Sequence, residues 1–151
     1  MAEIDLKLIK KLRDATQASI GDIREAVVEA AGDEKKAVEL LKKKSAKIAA
    51  KKAERATGEG IVYAYIHANN KVGVLLQLSC ETDFVAKTRD FAELAKEISL
   101  QIAAMDPENN DALLEMDYIR DPSKKIRDLI EEVIGKLGEN IQVARFTRYA
   151  V

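Results

Sequence analysis

The chain has 151 residues, 47% of them apolar, and a formal net charge of −1. This length suits one domain or two small ones, and this apolar fraction is sufficient for a buried core. The near-neutral charge and the absence of tryptophan argue against a general nucleic-acid or membrane binder. A single cysteine, Cys80, excludes an internal disulfide. No signal sequence or apolar run of about 20 residues is visible, so a cytoplasmic protein is expected.

Helical periodicity runs through the first third of the sequence. The apolar stripe of the first predicted helix contains Ile4, Leu8, Ile9 and Leu12. Ser19 is a suitable N-cap for a second helix, and Gly32 followed by Asp33 ends that helix and begins a third. The third apolar stripe is longer than two short helices can cover, so its second half should lead away as a connector. Residues 1–56 are therefore predicted to form a three-helix bundle with a connector helix. This bundle, with its Gly32-Asp33 turn, resembles ubiquitin-associated-type (UBA-like) domains.

From Gly58 onwards, the apolar period changes from helical to alternating. Two alternating runs flank Asn69 and Asn70, which predicts a β-hairpin. The chain alternates again from Ile141 to its end, so a third strand is expected there. A sheet of about three antiparallel strands is the resulting prediction.

Two further helices are expected between the hairpin and the last strand. The first ends before Pro107, and the second is capped by Gly138. Residues 106–122 are polar and weakly patterned, so they are predicted to be loop with a possible short helix. Residues 57–151 should therefore form an α+β core in which helices pack on the sheet.

The residue types that catalysis or metal binding requires are sparse. The single histidine, His67, and Cys80 fall near opposite ends of the predicted hairpin, roughly 23 Å apart along the strand. This separation argues against a Cys–His catalytic pair and against a zinc site. The run Gly58-Glu59-Gly60 precedes a strand and lacks the third glycine of a dinucleotide fingerprint. No cofactor, metal or covalent chemistry is expected.

The turn after the second predicted strand is the most unusual passage. Thr82 is placed to cap a short helix that begins with Asp83 and Phe84. An exposed ring could enter an apolar seam of a partner, while the neighbouring carboxylate competes for a cation or for backbone donors. From spacing alone, the alternative is that Phe84 packs into the local core and Asp83 only caps the turn.

Two other features are candidates for partner contacts. Ile20 beside Gly21, in the loop of the helical bundle, could be an exposed apolar knob for a partner helix. The alternative, which spacing alone slightly favours, is a hydrophobic staple or core contact. Residues 35–55 carry nine Lys or Arg against two Glu, a local charge of +7. A solvated helix face is the simpler interpretation, and a patch for RNA or an acidic protein is the alternative.

Three stretches of the chain resemble signatures of the bacterial elongation factor Ts family. They are residues 12–27, which begin Leu-Arg-Asp-Ala-Thr-Gln-Ala-Ser-Ile, residues 79–87, Ser-Cys-Glu-Thr-Asp-Phe-Val-Ala-Lys, and residues 138–141, Gly-Glu-Asn-Ile. They occur in the family's order across nearly the whole chain. One departure is Ile20-Gly21, which stands where many members have two methionines.

The resemblance implies a guanine nucleotide exchange factor. Its partner would be elongation factor Tu, in GDP-bound and nucleotide-free forms, and it would promote GDP release so that GTP can bind. Thr82, Asp83, Phe84 and Val85 match the family's central motif. By this similarity, Phe84 would wedge apart helices of the GTPase and Asp83 would disturb its magnesium coordination.

The resemblance also bears on the rest of the molecule. Arg13, Ile20 and Gly21 match the family's N-terminal contact with the GTPase. The chain resembles short members that hold one core subdomain and pair up, so a homodimer is possible. The alternative function is a UBA-like protein-binding adaptor without exchange activity. An RNA-binding role for residues 35–55 would instead predict binding that falls steeply with salt, and no direct nucleic-acid contact is expected.

Overall fold

Residues 5–151, which the computed structural model describes, form seven helices and five strands. In chain order they are α1 (Leu6–Thr16), α2 (Ile20–Glu29), α3 (Glu34–Lys52), β1 (Glu59–Ile66), β2 (Val72–Cys80), α4 (Asp83–Ala86), α5 (Arg89–Met105), α6 (Asn110–Glu115), β3 (Asp117–Tyr118), β4 (Asp121–Lys125), α7 (Ile126–Leu137) and β5 (Ile141–Ala150). Ile4, which the sequence places in the first helix, lies outside the described residues. The predicted α+β class is confirmed.

Helices α1 to α3 begin at side-chain caps. The Asp5 carboxylate accepts a hydrogen bond from Lys7 N at 2.9 Å, and Ser19 and Asp33 cap α2 and α3 in the same way, as the sequence predicts for these two. Between α2 and α3, Gly32 has a φ of +80°, which suits glycine. The three helices enclose one apolar cluster, whose buried members are Ile9, Leu12, Ile23, Ala26, Val27, Ala30, Ala37 and Leu41.

Helix α3 belongs to both apolar clusters of the molecule. Its N-terminal half contributes Ala37 and Leu41 to the first cluster, and its C-terminal half contributes Ala49 to the second. It packs along α7, and Lys42 forms an ion pair with Asp128 at 3.0 Å on that interface. The predicted connector is therefore a packed helix that joins the bundle to the rest of the chain.

The main sheet has three antiparallel strands in the order β1-β2-β5. Glu59 lies opposite Cys80, and Asn70, with a φ of +59°, lies in the tight connection between β1 and β2. The predicted hairpin and the predicted third strand are both confirmed. Gly60 is required at the start of the hairpin, because a Cβ there would lie 2.2 Å from the carbonyl oxygen of Leu78.

Helices cover one face of this sheet. The inward residues of the central strand are buried beneath α5: Val74, Leu76, Leu78 and Cys80. On the opposite face, Val62, Ile66 and Leu75 are exposed. The sheet is thus closed by helices on one side and open on the other.

Residues 106–122 contain more structure than the sequence predicts. The possible short helix is confirmed as α6, capped by Asn109, but the remainder is not loop, because β3 and β4 form a second small hairpin. The buried Gln101 side chain holds this hairpin, donating from Nε2 to the Asp117 carbonyl oxygen and accepting from Ile119 N at Oε1, both at 3.0 Å. Strands this short carry no readable periodicity, and a distant side chain fixes their position.

Candidate functional site

The turn between β2 and α4 presents Phe84 to solvent. Thr82 has extended backbone angles, and its hydroxyl accepts a hydrogen bond from Val85 N at 3.4 Å, so it is the N-cap of α4. Val85 and Ala86 are buried and anchor the short helix. Phe84 is 88% exposed. The ring therefore does not pack into the local core, which was the alternative from spacing alone.

Asp83 lies beside this ring and is exposed as well. Its only ion pair among the described residues is with Lys87, at 2.6 Å and one helical turn further on. The hydrogen bond that Lys87 donates to Asp83, together with the charge of that carboxylate, raises the pKa of Lys87. Because both partners are exposed, water screens this pair and the carboxylate can readily exchange Lys87 for another cation.

The carboxylate of Glu139 holds the same turn from the other side. Its Oε1 accepts hydrogen bonds from Glu81 N at 3.1 Å and Thr82 N at 2.9 Å, and its Oε2 accepts from the Thr82 hydroxyl at 2.6 Å. In return, Glu81 Oε1 accepts from Asn140 N at 2.7 Å. The sequence singled out residues 138–141 as a motif without indicating that they contact this turn.

Cys80 lies beneath the turn as an inert thiol. It is fully buried, and its Sγ donates to the Thr82 carbonyl oxygen at 3.1 Å. Burial raises the pKa of the Cys80 thiol, and the charge of Glu139 adds to this effect, so the reactive thiolate is disfavoured. The exposed His67 lies at the opposite end of the hairpin and contacts the Tyr65 hydroxyl at 3.0 Å, so the predicted separation of Cys80 and His67 is confirmed.

The three N-terminal candidates lie on α1 and α2 and are exposed. Ile20 is the first residue of α2, Gly21 follows it, and Arg13 lies in the last turn of α1. Arg13 and Ile20 line a cleft of about 590 Å³ between the bundle and the α+β core, whereas Gly21 does not. Among residues 5–151, no hydrogen bond or ion pair joins Arg13, Ile20 or Gly21 to residues 82–85.

Lysines of the core cross the cleft to the end of α1. Lys136 Nζ lies 3.0 Å from Gln17 Oε1 and 3.1 Å from Asp90 Oδ1. Lys124 Nζ contacts the Ala15 carbonyl oxygen at 3.4 Å and pairs with Glu132 at 3.1 Å. These contacts fix the bundle relative to the helices that follow the exposed turn.

Glu132 has an unusual environment in this cleft. Burial raises the pKa of its carboxyl to about 7, and the opposing charge of Lys124 does not fully offset the cost of desolvation. The charges of Asp128 and Asp121 act in the same direction as burial.

The basic run at residues 35–55 is partly neutralised within the molecule. Lys44 pairs with Asp22 and Glu25, Lys42 pairs with Asp128, and Lys52 Nζ donates to the Gly138 carbonyl oxygen at 2.7 Å. These contacts give several of the lysines a structural role, which favours the interpretation as a helix face over a dedicated nucleic-acid patch.

Within residues 5–151, no group of three or more His, Cys, Asp or Glu side chains is arranged to hold a metal ion. In the same residues, no helix has the length and hydropathy that crossing a bilayer requires.

The fold and the site define the class of the protein. A helical bundle is joined to an α+β core, and the core presents an exposed aromatic ring and an exposed carboxylate on an ordered turn, so this is a two-part α+β protein.

Comparison with known proteins gives the family. The profile of the family described as Elongation factor TS matches residues 81–151. Elongation factor Ts of Thermotoga neapolitana is 43% identical over 192 positions that cover 99% of this chain and 98% of that protein. Elongation factor Ts of Thermotoga petrophila is 44% identical, with 99% and 96% covered, and that of Petrotoga mobilis is 41% identical, with 99% and 98% covered. The chain belongs to the elongation factor Ts family.

The alignments also show where this chain departs from its relatives. They span 192 positions and run almost end to end in both proteins, although this chain has 151 residues. The relatives therefore contain about 40 positions that are absent from the interior of this chain.

Proposed function

We propose that this protein is a guanine nucleotide exchange factor that binds elongation factor Tu and promotes release of GDP. The observation that carries the proposal is the turn at residues 82–85, where Phe84 is almost fully exposed beside Asp83. The backbone of this turn is held by the Thr82 cap and by the Glu139 carboxylate. The ring enters an apolar seam of the GTPase, and the carboxylate disturbs the magnesium site. Thr82 and Val85 hold the backbone from which these two side chains project.

The mechanism requires binding energy and no covalent step. A factor that binds the nucleotide-free GTPase more tightly than the nucleotide-bound form must weaken nucleotide binding by the same factor. Burying a phenylalanine side chain contributes about 1.5–3 kcal/mol, which corresponds to roughly ten- to a hundredfold in an equilibrium constant. This magnitude is sufficient for Phe84 to contribute substantially to the displacement. The protein is not an enzyme in this mechanism, and it acts in the cytoplasm together with the translation machinery.

The N-terminal part supplies a second contact in this proposal. Residues 1–56 form one functional unit, in which Arg13, Ile20 and Gly21 meet the GTPase, and residues 57–151 form the other. The exposure of Ile20 at the first turn of α2 supports this assignment. The cleft contacts of Lys124 and Lys136 keep the two contact regions at a fixed separation, so both can engage one partner.

We further propose that two copies pair through the open face of the sheet. Val62, Ile66 and Leu75 are exposed there, and a groove of about 460 Å³ runs beside Val62 and Leu75. An exposed apolar surface of this kind is typical of a protein interface. We call the turn at residues 82–85 the exchange turn. A pair would also place two exchange turns on one assembly.

Release of a fluorescent GDP analogue from bacterial elongation factor Tu, measured by stopped flow with and without this protein, tests the proposal. We expect the protein to accelerate release, and Asp83→Ala and Phe84→Ala to reduce the acceleration roughly ten- to a hundredfold at fixed protein concentration. Val28→Ala, at an exposed apolar residue of α2, is the matched control and should leave the rate unchanged.

One result would contradict the exchange function, and another would contradict the assignment of its site. A folded protein that binds elongation factor Tu without accelerating GDP release would have the adaptor function. A protein that accelerates release equally well after both substitutions would place the active contact elsewhere on its surface.

A further inference from the structure

We propose that Glu139 is the positioning residue of the exchange turn, which holds Asp83 and Phe84 in their binding orientation before the partner arrives. This inference rests on the proposed exchange function. It assigns a role to the Gly-Glu-Asn-Ile motif at residues 138–141, which the contacts of Phe84 and Asp83 alone leave unexplained.

One carboxylate satisfies three donors of the turn. Glu139 accepts from two consecutive backbone N–H groups, those of Glu81 and Thr82, and from the Thr82 hydroxyl. Hydrogen bonds to an ionised acceptor are about twice as strong as neutral ones, and the site is partly shielded from water. Glu139 therefore fixes the path of the backbone immediately before α4.

The bond to the hydroxyl also controls the helix cap. A threonine hydroxyl has one proton, and in Thr82 this proton is donated to Glu139 Oε2. The lone pairs of the same oxygen are then directed towards Val85 N, which donates to it at 3.4 Å. Because of this geometry, the cap of α4 depends on Glu139 although the two residues that form it are Thr82 and Val85.

Neighbouring contacts hold the segment that carries Glu139 in place. Gly138, with a φ of +78°, ends α7 and directs Glu139 towards the turn. The next residue, Asn140, is buried, donates its backbone N–H to Glu81, and donates from Nδ2 to the Arg55 carbonyl oxygen at 2.9 Å. The segment thus connects the exchange turn to the chain that follows α3.

A turn of this kind cannot order itself. Helix α4 has four residues, far fewer than the roughly 12 that an isolated helix needs for stability. Phe84 is too exposed for its own packing to fix its orientation. Ordering the turn before the GTPase binds removes an entropic cost from binding. Glu139 should therefore raise the rate of GDP release without contacting the GTPase.

The test compares Glu139→Ala and Glu139→Gln with Glu93→Ala, which removes an exposed glutamate of α5. In the GDP-release assay, we expect Glu139→Ala to lower the maximal rate roughly tenfold, which is about the factor that one hydrogen bond to a charged group contributes. Glutamine keeps an acceptor for the two N–H groups but replaces the acceptor of the hydroxyl proton by a donor, so Glu139→Gln should recover only part of the rate. Glu93→Ala should match the unchanged protein.

Two further measurements separate positioning from a general loss of stability. In the background that carries both Asp83→Ala and Phe84→Ala, Glu139→Ala should add less than about twofold, since a residue that acts through these two side chains has little effect without them. By amide hydrogen exchange, the Glu81 and Thr82 N–H groups should exchange roughly tenfold faster in Glu139→Ala, while the buried Ile98 amide keeps its protection.

The outcomes are distinct for the two proposals. If the unchanged protein and Phe84→Ala behave as proposed but Glu139→Ala releases GDP at the normal rate, the positioning role is wrong and the exchange function stands. If the unchanged protein fails to accelerate release, the exchange function is wrong, and amide exchange still tests whether Glu139 orders the turn. Unaltered exchange of the Glu81 and Thr82 amides in Glu139→Ala would show that Glu139 does not order it.

Discussion

Two phenylalanines close together in the sequence have opposite environments, and the helix caps explain why. Thr82 and Thr88 each accept a hydrogen bond from the N–H group three residues later, and in both turns that third residue, Val85 or Phe91, points into the core. Phe84 lies one position before the inward residue and is therefore directed to solvent. The same capping pattern therefore buries Val85 and Phe91 and leaves the ring of Phe84 exposed.

The pair Phe84 and Phe91 gives the first prediction. Phe84→Ala should change the free energy of unfolding by less than about 0.5 kcal/mol, because an exposed side chain contributes little to folding. Phe91→Ala should cost about 3–5 kcal/mol, because it leaves a cavity in the core. Urea denaturation followed by circular dichroism measures both. A large loss of stability in Phe84→Ala would mean that the ring supports the fold, and its effect on GDP release could not then be assigned to a contact with the partner.

Glu132 gives a prediction about pH. The pKa of its carboxyl is raised to about 7 in the folded protein, so the folded state holds a proton that the unfolded state loses near its ordinary value of 4.5. The stabilisation from this proton is present below about pH 4.5 and is lost as the pH rises through about 7. Between pH 5 and 8, the unfolding free energy should fall by roughly 2 kcal/mol more in the unchanged protein than in Glu132→Gln.

The comparison between the two proteins isolates this carboxyl. The other titratable groups are the same in both proteins, so their contributions largely cancel in the difference. Denaturant titrations at several pH values supply the data. Parallel pH dependences for the two proteins would show that the Lys124 ion pair keeps the pKa of Glu132 near its ordinary value.

At the scale of elements, long-range side-chain contacts attach the smaller pieces to the larger ones. Helix α3 extends from the bundle to the core because its apolar stripe continues to Ala49. The β3–β4 hairpin, by contrast, has little apolar surface of its own and is fixed by polar contacts. The buried amide of Gln101 joins it to α5, and the Tyr118 hydroxyl donates to Glu97 Oε2 at 2.6 Å.

The attachment of this hairpin gives the third prediction. Gln101→Leu keeps a side chain of similar size but leaves the Asp117 carbonyl oxygen and the Ile119 N–H group without partners. Each of these part-buried hydrogen bonds contributes about 0.5–1.5 kcal/mol, so the substitution should destabilise the protein by about 1–3 kcal/mol. Urea denaturation measures the loss, and amide exchange at Ile119 shows whether it is local. Gln142→Leu, at an exposed glutamine of β5, is the matched control and should have little effect.

At the scale of the whole molecule, the sheet has one face that its own helices cover and one that they do not. The covered face carries the core, whereas the open face presents Val62, Ile66 and Leu75. Relatives contain about 40 positions that this chain lacks, so its surface is not a copy of theirs. Pairing of two copies through the open face would bury these side chains and is the basis of the fourth prediction.

Leu75→Glu should shift the protein from dimer to monomer. A charge on the central strand of the open face would be taken out of water on pairing, which is unfavourable. Sedimentation velocity over a range of protein concentrations measures the change. Val28→Glu, an equivalent substitution on the exposed side of α2, should leave the association unchanged. If the unchanged protein sediments as a monomer at all concentrations, the pairing proposal is wrong.

The sequence by itself determined the features that depend on neighbouring residues. The caps at Ser19, Asp33 and Thr82, the hairpin around Asn70 and the change of period near Gly58 could all be read from it, because caps, turns and periodicity are local interactions. It also placed Asp83 and Phe84 on the turn after β2, and the family resemblance assigned them a role.

Only the tertiary structure decided which way Phe84 points and what holds the turn beneath it. Spacing allowed the ring to be buried or exposed, and the choice depends on which of the adjacent positions, Phe84 or Val85, meets the core. The partner of Thr82 is Glu139, 57 residues away in the chain, and the hairpin at residues 117–125 depends in the same way on Gln101. A contact between distant residues leaves no local pattern, because it exists only once the chain has folded.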